Sequence, residues 1–366
     1  MEPLKIALLG FGQAARNIHL PALRGLGEQF EVVVVCDPGE AAREAARAVL
    51  PAAKLYADAY EAIRAGGIDA VDLCSPPSEH CAQACAALEA GLHVFCEKPL
   101  AMSLGEADRM LAAAAEAKRT LAVNGQFPDM SIHQAAQTEI GSPRFGRLLL
   151  MQATQSFRTN ETTEAGWRKD APRRVAFDFG VHLFDLSAFF FGELPASISC
   201  TISSLGTPVP EAATTIHLEF CSGGAASFVL NRVSAGEERY CDIVLTGVDS
   251  EARCSIGGRA DLEFGIAARS RMPYARARFA MGGTAERIQT GRSELLAREG
   301  SNPFAAATAV RLRAFFDQVR RDMPMPRSAA YHREMLALAL AAYESAGTGR
   351  RIEMAERYAP TSAFCC

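Results

Sequence analysis

Several things are scarce in this chain of 366 residues, and each scarcity removes a class of protein. Basic charge is not in excess: 38 Lys and Arg face 42 Asp and Glu, a net of −4, so the cationic footprint of a nucleic-acid binder is missing. No apolar run approaches the roughly 18 residues that span a bilayer. The longest candidate, Leu186 to Phe191, stops at Gly192-Glu193. The start, Met1-Glu2-Pro3-Leu4-Lys5, lacks the basic and apolar regions of an export signal. The eleven cysteines are an odd number without the tight spacing of a secreted disulfide framework. Cys36, Cys74 and Cys96 end apolar runs and read as small core packers. His, Cys, Asp and Glu do not cluster at metal-ligand spacing, and Cys81 and Cys85 share a helix face without further ligands, so no metal is expected. Cys365-Cys366 reads as an exposed, frayed end. These features predict a cytoplasmic protein that uses neither membrane nor nucleic acid.

What is present is enough apolar material to fold. Half the residues are hydrophobic (49%), 20 of them Phe, and at roughly 100–200 residues per domain the length predicts two domains. Up to Asn124, short apolar runs alternate with Ala-rich helical stretches. Strands are predicted at residues 5–9, 31–36, 54–56, 70–74, 93–96 and 121–124, a pattern that gives a parallel doubly wound Rossmann sheet with right-handed crossovers. Beyond Asn124 the runs at 145–157, 198–203, 214–220, 225–233 and 240–245 follow one another with Gly-rich turns. They predict an α+β domain with a mostly antiparallel, open sheet. Helices at 304–321 and 329–345 close it. The expected division is thus 1–124 for a cofactor domain and 125–366 for a substrate-binding and oligomerisation domain, its open sheet covered in a homodimer or homotetramer.

Gly10-Phe11-Gly12-Gln13-Ala14-Ala15 fits the G-x-G-x-x-G/A dinucleotide fingerprint between first strand and first helix. Gly10 permits the tight turn, Gly12 lets a pyrophosphate approach backbone N–H groups, and Ala15 still allows close helix–strand packing. Asp37 ends the second strand, where a carboxylate accepts hydrogen bonds from a ribose and repels a 2′-phosphate. No Arg follows at once, since Pro38-Gly39-Glu40 comes next, so NAD is expected rather than NADP.

Ser75-Pro76-Pro77-Ser78-Glu79-His80 and Glu97-Lys98-Pro99, some 20 residues apart after the fourth and fifth strands, resemble the paired signatures of the Gfo/Idh/MocA oxidoreductases (glucose–fructose oxidoreductase, inositol dehydrogenase, rhizopine catabolism). Gly166-Trp167-Arg168 and Asp178-Phe179-Gly180-Val181-His182 are similar to that family's elements in the second domain. The resemblance implies a cis Lys98-Pro99 peptide. It implies a cofactor site that adds Ser75, Pro76, Pro77, His80, Glu97, Lys98, Trp167 and Arg168 to the glycine-rich turn and Asp37. It also implies a catalytic trio of Lys98, Asp178 and His182, with Gln126 beside them at the substrate.

The residues can carry that chemistry. An ammonium at Lys98 would stabilise a developing alkoxide. Asp178 and His182, four apart on one helix face with Asp185 continuing it, would orient the substrate and move the hydroxyl proton. Asp185 reads as a structural partner. His19 and His80 lie near the crevice and are expected at cofactor or substrate; His93, His133, His217 and His332 read as structural or surface positions. Two departures stand out. Arg173-Arg174 replaces a Gly-rich stretch and reads as a solvated basic loop, and Asn124-Gly125-Gln126-Phe127-Pro128 lacks the family's aromatic–Arg pair. The expectation is a hydride transfer between nicotinamide and a secondary alcohol or ketone of a polyol-like small molecule: a sugar, nucleotide sugar or cyclitol. The alternatives are an NAD-dependent glycosidase working by transient oxidation, a reductase of a tetrapyrrole or dihydrodiol, and a non-catalytic ligand-sensing regulator.

Overall fold

Six apolar segments pair in parallel to make the first sheet. In the computed structural model, residues 2–160, 164–169, 171, 173–236, 238–257, 259–266, 272–280 and 282–358 are described; Cys365-Cys366 lies outside them. The strands are β1 (Leu4–Leu9), β2 (Phe30–Cys36), β3 (Lys54–Tyr56), β4 (Ala70–Leu73), β5 (His93–Cys96) and β6 (Leu121–Val123), in the order β3-β2-β1-β4-β5-β6. Between them run α1 (Leu20–Gly25), α2 (Glu40–Val49), α3 (Ala59–Ile63), α4 (Pro77–Glu89) and α5 (Leu104–Ala117). Helices on both faces leave no water-facing side, which is why these strands read as continuous apolar runs. The α5 start is capped from both sides: Ser103 Oγ accepts from Glu106 N, while Glu106 Oε2 accepts from Met102 N, just before the cap, at 2.9 Å. The first helix departs from expectation, since it enters through a π-helical stretch, Ala15–His19, before α1.

The order of this sheet reverses direction between β1 and β4. In such sheets ligands bind at that switch point, beyond the carboxyl ends of the strands. The turns after β1, β4, β5 and β6 all open there.

The second sheet is larger than the sequence predicts. After α6 (Ser131–Ile140), β7 (Leu148–Ser156) and α7 (Gly180–Phe191) come β8 (Ser197–Ser203), β9 (Ala213–Glu219), β10 (Ala225–Asn231), β11 (Arg239–Gly247) and β12 (Glu251–Ile256). A separate hairpin of β13 (Arg259–Ile266) and β14 (Pro273–Ala280) follows, then β15 (Gly283–Gln289) and β16 (Arg292–Glu299). The chain ends through α8 (Pro303–Arg321), α9 (Ala329–Thr348) and the short β17 (Ile352–Glu353). Nine strands pair as β16-β15-β12-β11-β7-β10-β9-β8-β17, antiparallel except for β7 with β10. One face rests on α6, α7 and α9. Among the described residues, no helix is long and apolar enough to cross a membrane.

Helix α8 reaches back across the expected boundary at residue 124. Leu312, Phe315 and Phe316 pack with Leu4, Phe30 and Phe95 beneath the first sheet. Each such buried side chain contributes roughly 1.5–3 kcal/mol. Arg311, fully buried on the same helix, donates to the Val123 carbonyl at the end of β6. The closing helix thus holds the two units together at the edge of the crevice.

Candidate active site

The glycine-rich turn is shaped by its neighbours. Gly10 has φ +88°, and a Cβ there would stand 2.8 Å from the Cys74 carbonyl and Ser75 nitrogen, so only glycine lets the turns after β1 and β4 touch. At Gly12, by contrast, a Cβ would meet nothing within 4 Å. Packing within the chain therefore does not demand glycine at that position, and the space beside it suits a pyrophosphate drawn to backbone N–H groups at a helix start. Asp37 is oriented by two of those groups: Phe11 N and Gly39 N donate to its two oxygens at 2.8 Å each. Arg43, on α2, donates to the Asp37 and Pro38 carbonyls and fixes this turn. The sequence signal for Arg43 was weak, because it stands six residues beyond Asp37 rather than next to it.

Behind β4 and β5, the two signature turns lock together. The Lys98-Pro99 peptide is cis, as the resemblance implied. His80 is fully buried, with Nδ1 3.0 Å from the Pro99 carbonyl and Nε2 3.0 Å from the Ser75 carbonyl. It thereby staples the two turns together. Ser75 is held by Gln83 at 2.7 Å, while Pro76 and Pro77 open α4.

His19 and Glu97 are likewise turned inward. His19 Nδ1 lies 2.9 Å from Asp72 and Nε2 2.7 Å from Glu97, and Asn124 Nδ2 donates to Glu97 at 2.7 Å and to Thr308 at 3.1 Å. The polar atoms of both residues pair within the protein. Burial opposes charge on the His19 ring, yet Asp72 and its neighbours hold it well above the ordinary histidine value. Burial also acts on Glu97, but His19 brings its carboxyl down to about 2. Contrary to expectation, potential metal donors do meet here, since His19, Asp72 and Cys74 each bring a ligand atom within 4.8 Å of the others. Sequence spacing concealed this because β4 and the first helix meet only in the fold. The donor set suits an ion-paired cluster better than a metal: carboxylates take both ring nitrogens, and burial pushes the Cys74 thiol up to about 12.

Lys98, Asp178 and Arg168 form the polar centre. Lys98 Nζ donates to the Asp178 carbonyl and to its Oδ1, both at 2.8 Å, and Arg168 Nε donates to Oδ2 at 2.9 Å. Burial favours the neutral Asp178 carboxyl, but Lys98 and Arg168 overrule it and keep the group well below the ordinary carboxylate range. Arg168 also lies over the Trp167 ring, 4.7 Å from its centroid, while its guanidinium braces Asp178. Asp178 precedes α7 on a π-helical turn, Val175–Phe179, and His182 sits in the first turn of α7.

His182 is a packed imidazole. Its ring stacks on Phe127 with centroids 3.8 Å apart and planes 12° from parallel, and Phe179 meets it edge-on. Burial first, and then the charge of Lys98, push it well below the ordinary histidine value. Phe127 itself lies between His182 and the buried His133, an aromatic floor beneath His182 that the motif pattern did not single out. Gln126 is buried, and no hydrogen-bond partner meets its Oε1 among the described residues.

Other expectations separate. Asp185 pairs structurally, as expected: Tyr331 Oη donates to it at 2.9 Å, and burial lifts its carboxyl to about 6 despite nearby Arg327. Arg174 is no solvated loop residue; its guanidinium is buried against Glu164 at 2.8 Å, and its backbone N–H donates to Glu211. Arg173 donates to the Met102 carbonyl. Two carboxylates on neighbouring segments, invisible to local spacing, neutralise and order this stretch.

Acid should weaken the fold in a defined window. Burial brings the His133 imidazole down to about 4 from an ordinary 6.5, so the unfolded chain binds a proton there that the native chain refuses. Stability is therefore full above pH 6.5 and falls toward pH 4, by about 3 kcal/mol for this residue. His80, His93, His182 and His332 are shifted the same way. Asp185 and His19 work in the opposite direction but are outnumbered. Urea midpoints at several pH values should decline across this window; a flat profile would contradict the burial of neutral histidines.

Comparison with known proteins agrees with this fold. Residues 4–125 match the GFO_IDH_MocA family, described as an oxidoreductase family with an NAD-binding Rossmann fold, and residues 125–255 match the GFO/IDH/MocA C-terminal domain. D-apiose dehydrogenase of Paraburkholderia graminis is 29% identical over 228 residues, 61% of this chain and 59% of that protein. Inositol 2-dehydrogenase of Rhodococcus erythropolis is 29% identical over 212 residues, covering 57% and 59%. The matched stretch thus spans less than two thirds of these relatives. An oxidoreductase of Agrobacterium radiobacter, solved with NAD+, L-tartaric acid and magnesium, shares the fold with a TM-score of 0.79 at 20% identity, over 97% of this chain and 99% of that one.

Proposed function

The chain belongs to the Gfo/Idh/MocA oxidoreductase family, and from that premise we propose that it is an NAD(H)-dependent dehydrogenase of a secondary carbinol in a sugar, nucleotide sugar or cyclitol. The observation that carries this reading is the Lys98–Asp178–His182 constellation at the carboxyl ends of the first sheet, beside a turn that leaves Gly12 open to a pyrophosphate. The apiose and inositol dehydrogenases among its relatives support the polyol class.

When bound, the nicotinamide supplies the two-electron acceptor or donor. The protein supplies the rest. Of the three N–H donors on Lys98, two are used on Asp178, leaving one to hold the substrate oxygen and stabilise the alkoxide as it develops. Asp178, kept ionised, fixes the direction of the ammonium, and Arg168 fixes Asp178. A ring nitrogen of His182 takes the hydroxyl proton during oxidation and returns one during reduction. Phe127 and Phe179 keep the imidazole neutral and in one plane. We place assembly in the same proposal: exposed Leu149, Val229 and Leu295 on the second sheet would be covered in a homodimer or homotetramer.

Incubation with a panel of sugars, nucleotide sugars and cyclitols tests the reading through the absorbance band of reduced nicotinamide. One polyol class should reduce NAD. NADP should be poorer by about tenfold or more, since a 2′-phosphate beside Asp37 meets like charge. Equal use of NADP would contradict the role of Asp37, and no reduction across the panel would contradict the proposed class.

A further inference from the structure

Lys98 must be held still for its third N–H to meet a substrate oxygen, and its own side chain has four rotatable carbons. Asp178 anchors the far end. The near end is anchored by the adjacent carboxylate, since Lys98 N donates to Glu97 Oε2 at 3.2 Å. Glu97 in turn spends Oε1 on His19 and Asn124, each at 2.7 Å. His19, 78 residues earlier in sequence, is completely buried and fixed at its other nitrogen by Asp72. Two carboxylates on the two ring nitrogens are satisfied together only when both nitrogens carry a proton. The His19 ring also ends the π-helical stretch that begins at Ala15, immediately behind the glycine-rich turn.

We propose that His19 is a positioning residue for catalysis: by tying Glu97, just after β5, to Asp72 on β4, it fixes the backbone of Lys98 and links the glycine-rich turn to the lysine proposed to meet the substrate. The inference rests on the role of Lys98 proposed above. Its logic is mechanical. A neutral side chain at position 19 no longer offers a charged donor to each of the two carboxylates, so Glu97, left with Asn124 alone on Oε1, is freer to turn. Lys98 then loses its alignment with Asp178 although neither residue has changed. Thr308 makes a useful control, because it is equally buried at the far end of the network but touches Asn124 rather than Glu97.

The test compares His19→Gln with Thr308→Val in the full-length protein, by two readouts. The first is the rate at which Lys98 is reductively methylated, followed by mass spectrometry without any substrate. The second is steady-state kinetics with the polyol found by the panel. His19→Gln should raise the Lys98 methylation rate several-fold. It should lower kcat on the order of 10²-fold, the cost of misplacing a reacting group by about an ångström, with KM little changed. Thr308→Val should lower Tm while leaving both readouts at the wild-type value. Equal methylation of Lys98 in wild type and His19→Gln would overturn the proposal. So would losses in the two variants that track Tm alone. If wild type reduces no NAD with any polyol, the dehydrogenase reading fails while the methylation comparison still decides the role of His19.

Discussion

Lys98→Met should lower kcat by roughly 10²–10³-fold or more while leaving NAD affinity within a few-fold of wild type. The substitution keeps most of the side-chain volume and removes only the charge and its donors. What disappears is the hydrogen bond to the developing alkoxide together with the partner of Asp178 Oδ1. Asp178 would keep Arg168 at 2.9 Å, so the loop holds its shape. The proposed dinucleotide site is built on Gly10, Gly12 and Asp37, none of which touches Lys98 among the contacts described. Stopped enzyme assays and calorimetric titration with NAD separate the two effects. Unchanged turnover would remove Lys98 from the chemistry, and loss of NAD binding would make its role one of holding the cofactor.

His182→Gln should cost on the order of 10²–10⁴ in kcat for alcohol oxidation, the usual worth of a positioned general base. The wild-type pH profile carries the finer information. Burial and the charge of Lys98 hold His182 well below 6.5, so it stays an unprotonated base as pH falls through the range where ordinary histidines charge. Oxidation by the free enzyme should therefore keep its rate through pH 6.5 and lose it only at more acidic values. In Lys98→Met the acid limb should move up, because one of the two causes of depression is gone. A wild-type limb centred on the ordinary value would mean that His182 is not the base or is not held as the structure has it.

Much of this could be seen in the sequence, and what could not has a common cause. The six strands of the first sheet were legible because parallel strands covered on both faces are written as unbroken apolar runs, such as Val32 to Val35 in β2. β12, β15 and β16 were missed. Their outward residues include Glu251, Arg253, Glu286, Arg292 and Glu294, so the apolar alternation is thin and resembles a polar loop. β16 is half exposed along its length, which leaves no clear inside and outside to read. Helix α6 was missed for a similar reason, its buried Ile132, His133, Ala136 and Glu139 being as much polar as apolar.

At the site, the positions were legible and the partnerships were not. Lys98, Asp178 and His182 stand in recognisable motifs, and the fold brings Lys98 and Asp178 to within 2.8 Å. Arg168 belongs to a motif too, but its attachment to Asp178 depends on how the chain returns from residue 166 to the start of α7. His19, Asp72, Glu97 and Asn124 come from four separate segments and meet only once the strands are ordered. Arg174 looked exposed because the two acids that order it, Glu164 and Glu211, lie 10 and 37 residues away. Long-range pairing of charges leaves no local trace, and this is where spacing arguments end.

The most direct test of the central claim is a single turnover of wild-type protein with NAD and a polyol deuterated at its reacting carbinol carbon, read by mass spectrometry of the recovered cofactor. One deuterium is expected in the reduced nicotinamide for each molecule of ketone formed, with the transfer roughly 10²–10³-fold slower in Lys98→Met. Ketone formation without deuterium in the cofactor, or undiminished transfer in the variant, would contradict the claim.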